Sequence, residues 1–265
     1  MKKTVRFFTL PELLIVVVVF SLLAAMVRPA MDHARAKDMQ LSCTNNLKQL
    51  GLQTFLYMAS NNDLAVISGG RGFYHWANFY GSKAPGIFKF SKYNVAGSAQ
   101  YWSPELACPA MEAPTRDNQM GSHTYGVINF RAYAKGVKQR RWIGKQYYND
   151  NFGDPWVSGK KADEAYLAMN KLKNPSEFFL YAESAWASNA KKADGYGPYP
   201  GQAVNAFYLH ADWSGSSFGI KLTHSGRANI AFADGHVASR DAKELKNGLM
   251  WIHSGVDANG VYVKF

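Results

Sequence analysis

Three side chains that can hold a metal or move a proton lie close together near the C-terminus. They are His224, Asp234 and His236, within the segment Thr223 to Val237. With Glu183 as a fourth donor they would form a zinc set, provided that all converge on one face. Asp234 and His236 flank a single Asp-Gly turn, but His224 stands a strand length away. The pattern favours a plainer role, in which Asp234 and Gly235 make the turn and His224 braces the preceding loop by hydrogen bonds. Asp257-Ala258-Asn259-Gly260 offers oxygen atoms of the kind calcium takes, but lacks the remaining acids of a calcium loop, and reads as a turn. Cys43 and Cys108 are the two cysteines, and no CxxC occurs. Two cysteines cannot make a metal site alone. In an oxidising compartment they could pair as a disulfide; otherwise they are two buried thiols. There is no GxSxG, HExxH or P-loop, and nothing marks Ser184 as an activated nucleophile. The chain therefore reads as a non-enzyme with no resident cofactor, calcium or zinc in the head being the less favoured option.

A different kind of chemistry is suggested at the other end. Met1 to Arg6 is short and basic, and Leu13 to Val27 is apolar apart from Ser21. As a helix, Phe8 to Val27 would rise about 1.5 Å per residue and span about 30 Å, one hydrocarbon core. Glu12 sits at the front edge of that run. A carboxylate there is costly, and such groups are retained for a function. Lys2, Lys3 and Arg6 favour a cytoplasmic N-terminus. A cleaved secretory signal has a similar layout, with an exit near Ala25, but Ala24-Ala25-Met26 followed by Arg28-Pro29 is a poor cleavage region.

The string Phe8-Thr9-Leu10-Pro11-Glu12-Leu13-Leu14 before an apolar helix resembles the N-terminus of type IV prepilins and type II secretion pseudopilins. The resemblance implies that a membrane prepilin peptidase cuts between Phe7 and Phe8 and methylates the new Phe8 amine. It implies that Glu12 serves assembly, its charge met by the Phe8 amine of a neighbouring subunit. Pro29 resembles the proline that breaks the family's long helix. Phe7 stands where the family usually has Gly or Ala, and Pro11 where a plain aliphatic residue is common. A second segment agrees: His224 is followed by nine residues and then Asp234-Gly235, which resembles the H-X9-DG segment of a prepilin-type group. Cys43-Thr44-Asn45-Asn46-Leu47-Lys48-Gln49-Leu50-Gly51 and Cys108-Pro109 fit the same group. The resemblance is weak from Phe73 to Leu222.

Composition sets the remaining bounds. The 265 residues allow an anchor plus a domain of about 200 residues, and 47% hydrophobic content is enough for a core. The formal charge of +11 includes three basic residues of the leader. The rest is scattered, with small clusters at Lys138 to Arg141 and Lys191-Lys192, so no recognition stripe for nucleic acid is present. Trp76, Tyr80, Tyr93, Tyr101, Trp102 and other aromatic residues suit core and loop packing better than a sugar-binding face.

These features predict an α+β protein: a long N-terminal helix, half membrane-spanning and half amphipathic, packed on an antiparallel β-sheet head in a pilin-like arrangement. The expected divisions are a leader (1–7), a transmembrane helix (8–29), an amphipathic helix (30–60) and an extracytoplasmic head (61–265) with a hairpin at 224–240. Cys43, Leu47, Leu50, Thr54 and Tyr57 recur at helical spacing, and Leu52, Phe55 and Leu56 widen that face. Asn61-Asn62-Asp63 should stop the helix. Short strands are expected at Leu106 to Pro109, Tyr125 to Tyr133 and Phe178 to Glu183, with a short helix at Asp163 to Leu172. Lys138 to Lys161 and Lys191 to Gly201 read as loops. Asp234-Gly235 between alternating residues is a strong hairpin signal, and two short strands should surround Gly255 to Gly260.

The expected function is a structural subunit, processed by prepilin peptidase and assembled with other pilin or pseudopilin subunits in a secretion or pilus-like system. It would sit in a bacterial inner membrane as a single-pass protein, N-terminus cytoplasmic and head outside, or be drawn into a fibre. One alternative is a tethered binding or metal-dependent hydrolytic domain that uses the prepilin route only for targeting. Another is a secreted protein whose signal is cut near Ala25.

Overall fold

The computed structural model describes residues 9–69, 76–83, 86, 88, 91–95, 98–111, 125–128, 150–158, 164–187, 206–207 and 218–265. Contacts divide the chain into two compact units, Met1–Met39 and Gln40–Phe265. One helix, α1 (Leu10–Ala59), runs through both.

In the first unit the helix is apolar from Leu13 to Val27 apart from Ser21, and that stretch is exposed. Its membrane-length apolar window has no buried residue, as length and composition suit a membrane span near the N-terminus. Thr9 precedes the first turn, and its backbone N–H and hydroxyl both donate to Glu12. This is the carboxylate half of a capping box, which satisfies an otherwise unpaired donor at the helix start. Pro29 does not break the helix, contrary to the expectation for that position. Proline removes one intrahelical hydrogen bond and usually kinks a helix; here the residues on both sides of Pro29 stay helical.

In the second unit the same helix becomes structural. Cys43, Leu47, Leu50, Gly51, Gln53, Thr54 and Met58 are its buried face. Burying Leu47 and Leu50 contributes about 1.5–3 kcal/mol each. Tyr57 and Phe55 are half-buried, whereas Leu52 and Leu56 are exposed, so the apolar face is narrower than the pattern suggested. The helix stops where expected. Asn62 and Asp63 both take positive φ, the Asp63 N–H donates to the Met58 carbonyl, and the Asn61 amide donates to the Tyr57 carbonyl. Asn and Asp tolerate this left-handed conformation and thus end helices.

The head is built from small, mostly antiparallel sheets. β1 (Leu64–Gly69) pairs with β6 (Glu164–Ala168), which also pairs with β5 (Trp156–Ser158). β2 (Ser91–Val95) and β3 (Ser98–Trp102) form a hairpin beside α2 (Trp76–Lys83). β4 (Val127–Ile128) pairs in parallel with β9 (Ala206–Phe207). β8 (Ser184–Trp186) pairs with β10 (Phe218–Ile220), and β13 (Ser254–Val256) with β14 (Tyr262–Lys264). The sheet that matters most for the site has the order β12-β11-β7: Val237–Asp241, Arg227–Phe232 and Phe179–Ala182. All four residues of β7 are buried, as are Ala228 to Phe232 of β11. A strand buried on both faces reads as a continuous apolar run, which is the texture of Phe179-Leu180-Tyr181-Ala182. The spine helix packs against β7, where Thr54 Oγ1 lies 2.9 Å from the Tyr181 hydroxyl. Finally, α3 (Ala242–Asn247) starts with a full capping box between Asp241 and Glu244.

Several expectations need correction. Asp163 to Leu172 is not a helix: its described part is β6 followed by a single 3-10 turn at Met169–Lys171. Pairing on both sides outweighs the few tenths of a kcal/mol per residue by which Ala and Leu favour helix. Leu106 to Pro109 is not a strand either. Ser103-Pro104 opens a 3-10 turn ending at Leu106, and a second turn closes with the Met111 N–H on the Cys108 carbonyl. Of Tyr125 to Tyr133, the described residues supply only β4 and a bridge from Gly126 to Ala182. The stretch 191–201 and most of 138–161 lie outside the described residues; within the latter, β5 is a strand.

Candidate metal centre

Four buried side chains from four separate segments meet in the head. Cys43 comes from the spine helix, Cys108 from the turn after the Pro104–Leu106 segment, Glu183 from the junction of β7 and β8, and His224 from the turn before β11. Their exposures are 0%, 3%, 0% and 7%. One donor atom from each lies within 4.8 Å of every other. Cys43 Sγ is 2.5 Å from Glu183 Oε1, and His224 Nε2 is 2.7 Å from the same oxygen. Cys108 Sγ is 3.4 Å from His224 Nε2.

Local backbone explains why each side chain is there. Cys43 is one turn before Leu47 on the buried helix face. Asn46, on the same stretch of helix, donates its amide to the Ala107 carbonyl at 3.4 Å and so ties the Cys108 turn to the spine. Glu183 interrupts two pairings: its N–H faces the Asn229 carbonyl, and its carbonyl accepts from the Lys221 N–H. His224 and Arg227 exchange both backbone hydrogen bonds around Ser225-Gly226, whose φ values are +53° and +80°. Positive φ at both central residues marks the tight hairpin turn whose twist suits the flanking strands. That turn points the His224 ring inward at the start of β11.

A layer of donors surrounds the four. The Tyr125 hydroxyl donates to Cys43 Sγ at 3.2 Å. The Asn229 N–H donates to Glu183 Oε2 at 3.1 Å, and its side-chain amide donates to Glu183 Oε1 and to the Gln40 carbonyl, each at 3.4 Å. Burial, the Cys108 hydrogen bond and the Glu183 charge push the Cys43 thiol well above its ordinary range. Burial also raises the Tyr125 phenol. At His224, burial acts downward, but hydrogen bonds to Cys43 and Glu183 and their charges outweigh it and raise the imidazole to about 9. Burial outweighs the opposing His224 hydrogen bond and favours the neutral thiol at Cys43, whereas a thiolate is the nucleophilic form.

The less favoured zinc grouping of His224, Asp234, His236 and Glu183 divides. His224 and Glu183 do meet, but with the two cysteines. Asp234 and His236 lie at the opposite end of β11, both exposed, and bond to each other: Asp234 Oδ1 accepts from the His236 N–H at 3.1 Å and lies 2.6 Å from His236 Nδ1. Asp234 and Gly235 make the turn. Phe232 pairs with His236, leaving a three-residue loop rather than the two-residue one the Asp-Gly pattern suggested. Gly235 has φ +93°, and a Cβ there would come within 2.9 Å of the Phe55 ring. Asp257 closes the last turn with its carboxylate on the Val261 N–H. Cys43 and Cys108 are both free thiols rather than a disulfide.

At the N-terminus, Glu12 has its local partner in Thr9, so the isolated chain already supplies two hydrogen bonds to that acid. Phe7 and Phe8, the expected processing site, lie outside the described residues.

The cysteine cluster was within reach of sequence reading only in pieces. Glu183 stood out as a fourth ligand and the cysteines as a pair, but 140 residues separate Cys43 from Glu183 and 116 separate Cys108 from His224. No short spacing motif covers such distances. No protein family, curated protein or solved structure matches this chain.

Proposed function

We propose that this chain is a pilin-like assembly subunit, anchored in a bacterial inner membrane through α1 and processed by prepilin peptidase between Phe7 and Phe8. The observation that carries the reading is the division of labour along one helix. Its N-terminal part is apolar, membrane-length and has no buried residue in its apolar window among the described residues, while its C-terminal part is a core element of the head. A helix that only anchored would have no need to become core. A helix that only built the core would not carry an uncovered apolar stretch, which marks a membrane or protein contact.

The local Thr9–Glu12 contact fits this role without competing with it. Glu12 uses one oxygen, Oε2, for both Thr9 donors, which leaves Oε1 for the amine of a neighbour. The work of such a subunit is docking, with specificity in the head and no chemistry of its own. The test is the mature N-terminus. Mass spectrometry of membrane-purified protein should find a chain beginning with N-methylated Phe8. A mature chain beginning near Met26 would show a secreted protein instead. Glu12→Val should still insert in the membrane but fail to co-purify with assembled subunits, and normal incorporation would remove the assembly role.

A further inference from the structure

We propose that Cys43, Cys108, Glu183 and His224 bind one zinc ion in a closed four-ligand site that fastens the spine helix to the head. The donor set is the first argument. Two sulfurs, one imidazole nitrogen and one carboxylate oxygen suit zinc, whereas calcium and magnesium require oxygen ligands. The second argument is size. Zinc–ligand distances of about 2.0–2.3 Å give tetrahedral edges of about 3.2–3.8 Å, and the four donors already lie within 4.8 Å of one another. The Cys108–His224 separation of 3.4 Å is such an edge. The two shorter edges both end on Glu183 Oε1, so a small swing of that one carboxylate opens the space for the ion.

The third argument is the surrounding layer. Two thiolates and a carboxylate exceed the charge of one zinc ion by a single negative charge. Tyr125 donates to the Cys43 sulfur, and Asn229 donates twice to Glu183, which spreads that excess. Hydrogen bonds of this kind orient ligands and tune affinity at metal sites. Burial supplies the fourth argument and sets the role. All four ligands are protein donors at 7% exposure or less. No position is left for water or substrate, which is the mark of a structural rather than a catalytic zinc site. Each ligand comes from a different segment, so the ion would tie together four segments that are distant in sequence. The inference does not depend on the assembly reading, since zinc binding is indifferent to how the N-terminus is processed.

The test uses the full chain purified in detergent under reducing, chelator-free conditions. Elemental analysis should find about one zinc per chain, and X-ray absorption should show two sulfur and two nitrogen or oxygen neighbours. Strong chelation should remove the metal and lower the melting temperature, and added zinc should restore both. Cys108→Ser and His224→Ala should each lower zinc content several-fold, whereas His236→Ala should retain it. Chelation and repletion of the unaltered chain is decisive by itself, whether or not a ligand variant folds. A folded chain that holds no zinc and takes none from solution overturns the proposal. So does a Cys43–Cys108 disulfide in the native protein, or undiminished zinc in the Cys108→Ser variant.

Discussion

At each end of β11 a histidine meets a carboxylate, in opposite surroundings. At the start, His224 Nε2 lies 2.7 Å from Glu183; at the far turn, His236 Nδ1 lies 2.6 Å from Asp234. The first pair is sealed in the head beside two thiols and an aromatic hydroxyl. The second is exposed, local in sequence, and stacked on Phe232 with ring centroids 4.0 Å apart. The geometry of contact is nearly the same, so contact geometry does not distinguish a site from a turn. Burial does: in low dielectric each group depends on its partner, while in water each can do without it.

That difference can be broken by mutation. The largest effect is expected from His224→Ala, which leaves the Glu183 carboxylate buried without its main partner and should cost about 3–5 kcal/mol. His236→Ala should stay within about 0.5 kcal/mol, as exposed ion pairs do. Denaturant titration of the two variants checks both, and equal losses would refute the contrast. Asn229→Ala comes next. It keeps the backbone donor but removes the amide bonds to Glu183 and Gln40, at about 1.5–3 kcal/mol for a buried bond to a charged group. If zinc is bound, this variant should also weaken metal retention by about 10- to 100-fold, read by competition with a chelator.

The turns at the two ends sharpen the comparison further. Gly235→Ala meets a positive φ and the Phe55 ring, and should cost about 2–3 kcal/mol. Gly226→Ala meets positive φ but open space, and should cost about 1–2 kcal/mol. Thermal melts should therefore rank Gly235→Ala below Gly226→Ala, and the reverse order would show that Phe55 yields freely. The smallest effect belongs to Asp234→Asn. An amide can still accept the His236 N–H, so stability should change by less than about 0.5 kcal/mol. It should leave zinc content unchanged, measured on the same preparation.

Elements whose cause is local were legible in advance. The apolar span, the buried periodicity of Cys43, Leu47, Leu50 and Thr54, and the Asn61–Asp63 stop all follow from side-chain type and spacing within a few turns. So did β7 and the Asp234-Gly235 hairpin. Elements whose cause is a partner strand were not. Residues 164–168 carry a composition that suits a helix, and β1 and β5 override it. The narrowness of the spine's buried face was equally hidden, since Leu52 and Leu56 look the same as Leu47 until the head is in place.

Sequence alone determined the strongest local preferences of this protein: an apolar helix long enough to cross a membrane, an acid held at its first turn, and a glycine that must bend the chain at Gly235. Each of these rests on interactions among residues a few positions apart. Only the tertiary structure decided which chemistry-bearing residues share a site. It parted His224 from His236, which lie 12 residues apart, and joined His224 to Cys108 and Glu183 and Glu183 to Cys43, across 41 to 140 residues. The reason is physical. A buried cluster is assembled by packing that removes four separate segments from water together, and no one of those segments carries the instruction by itself.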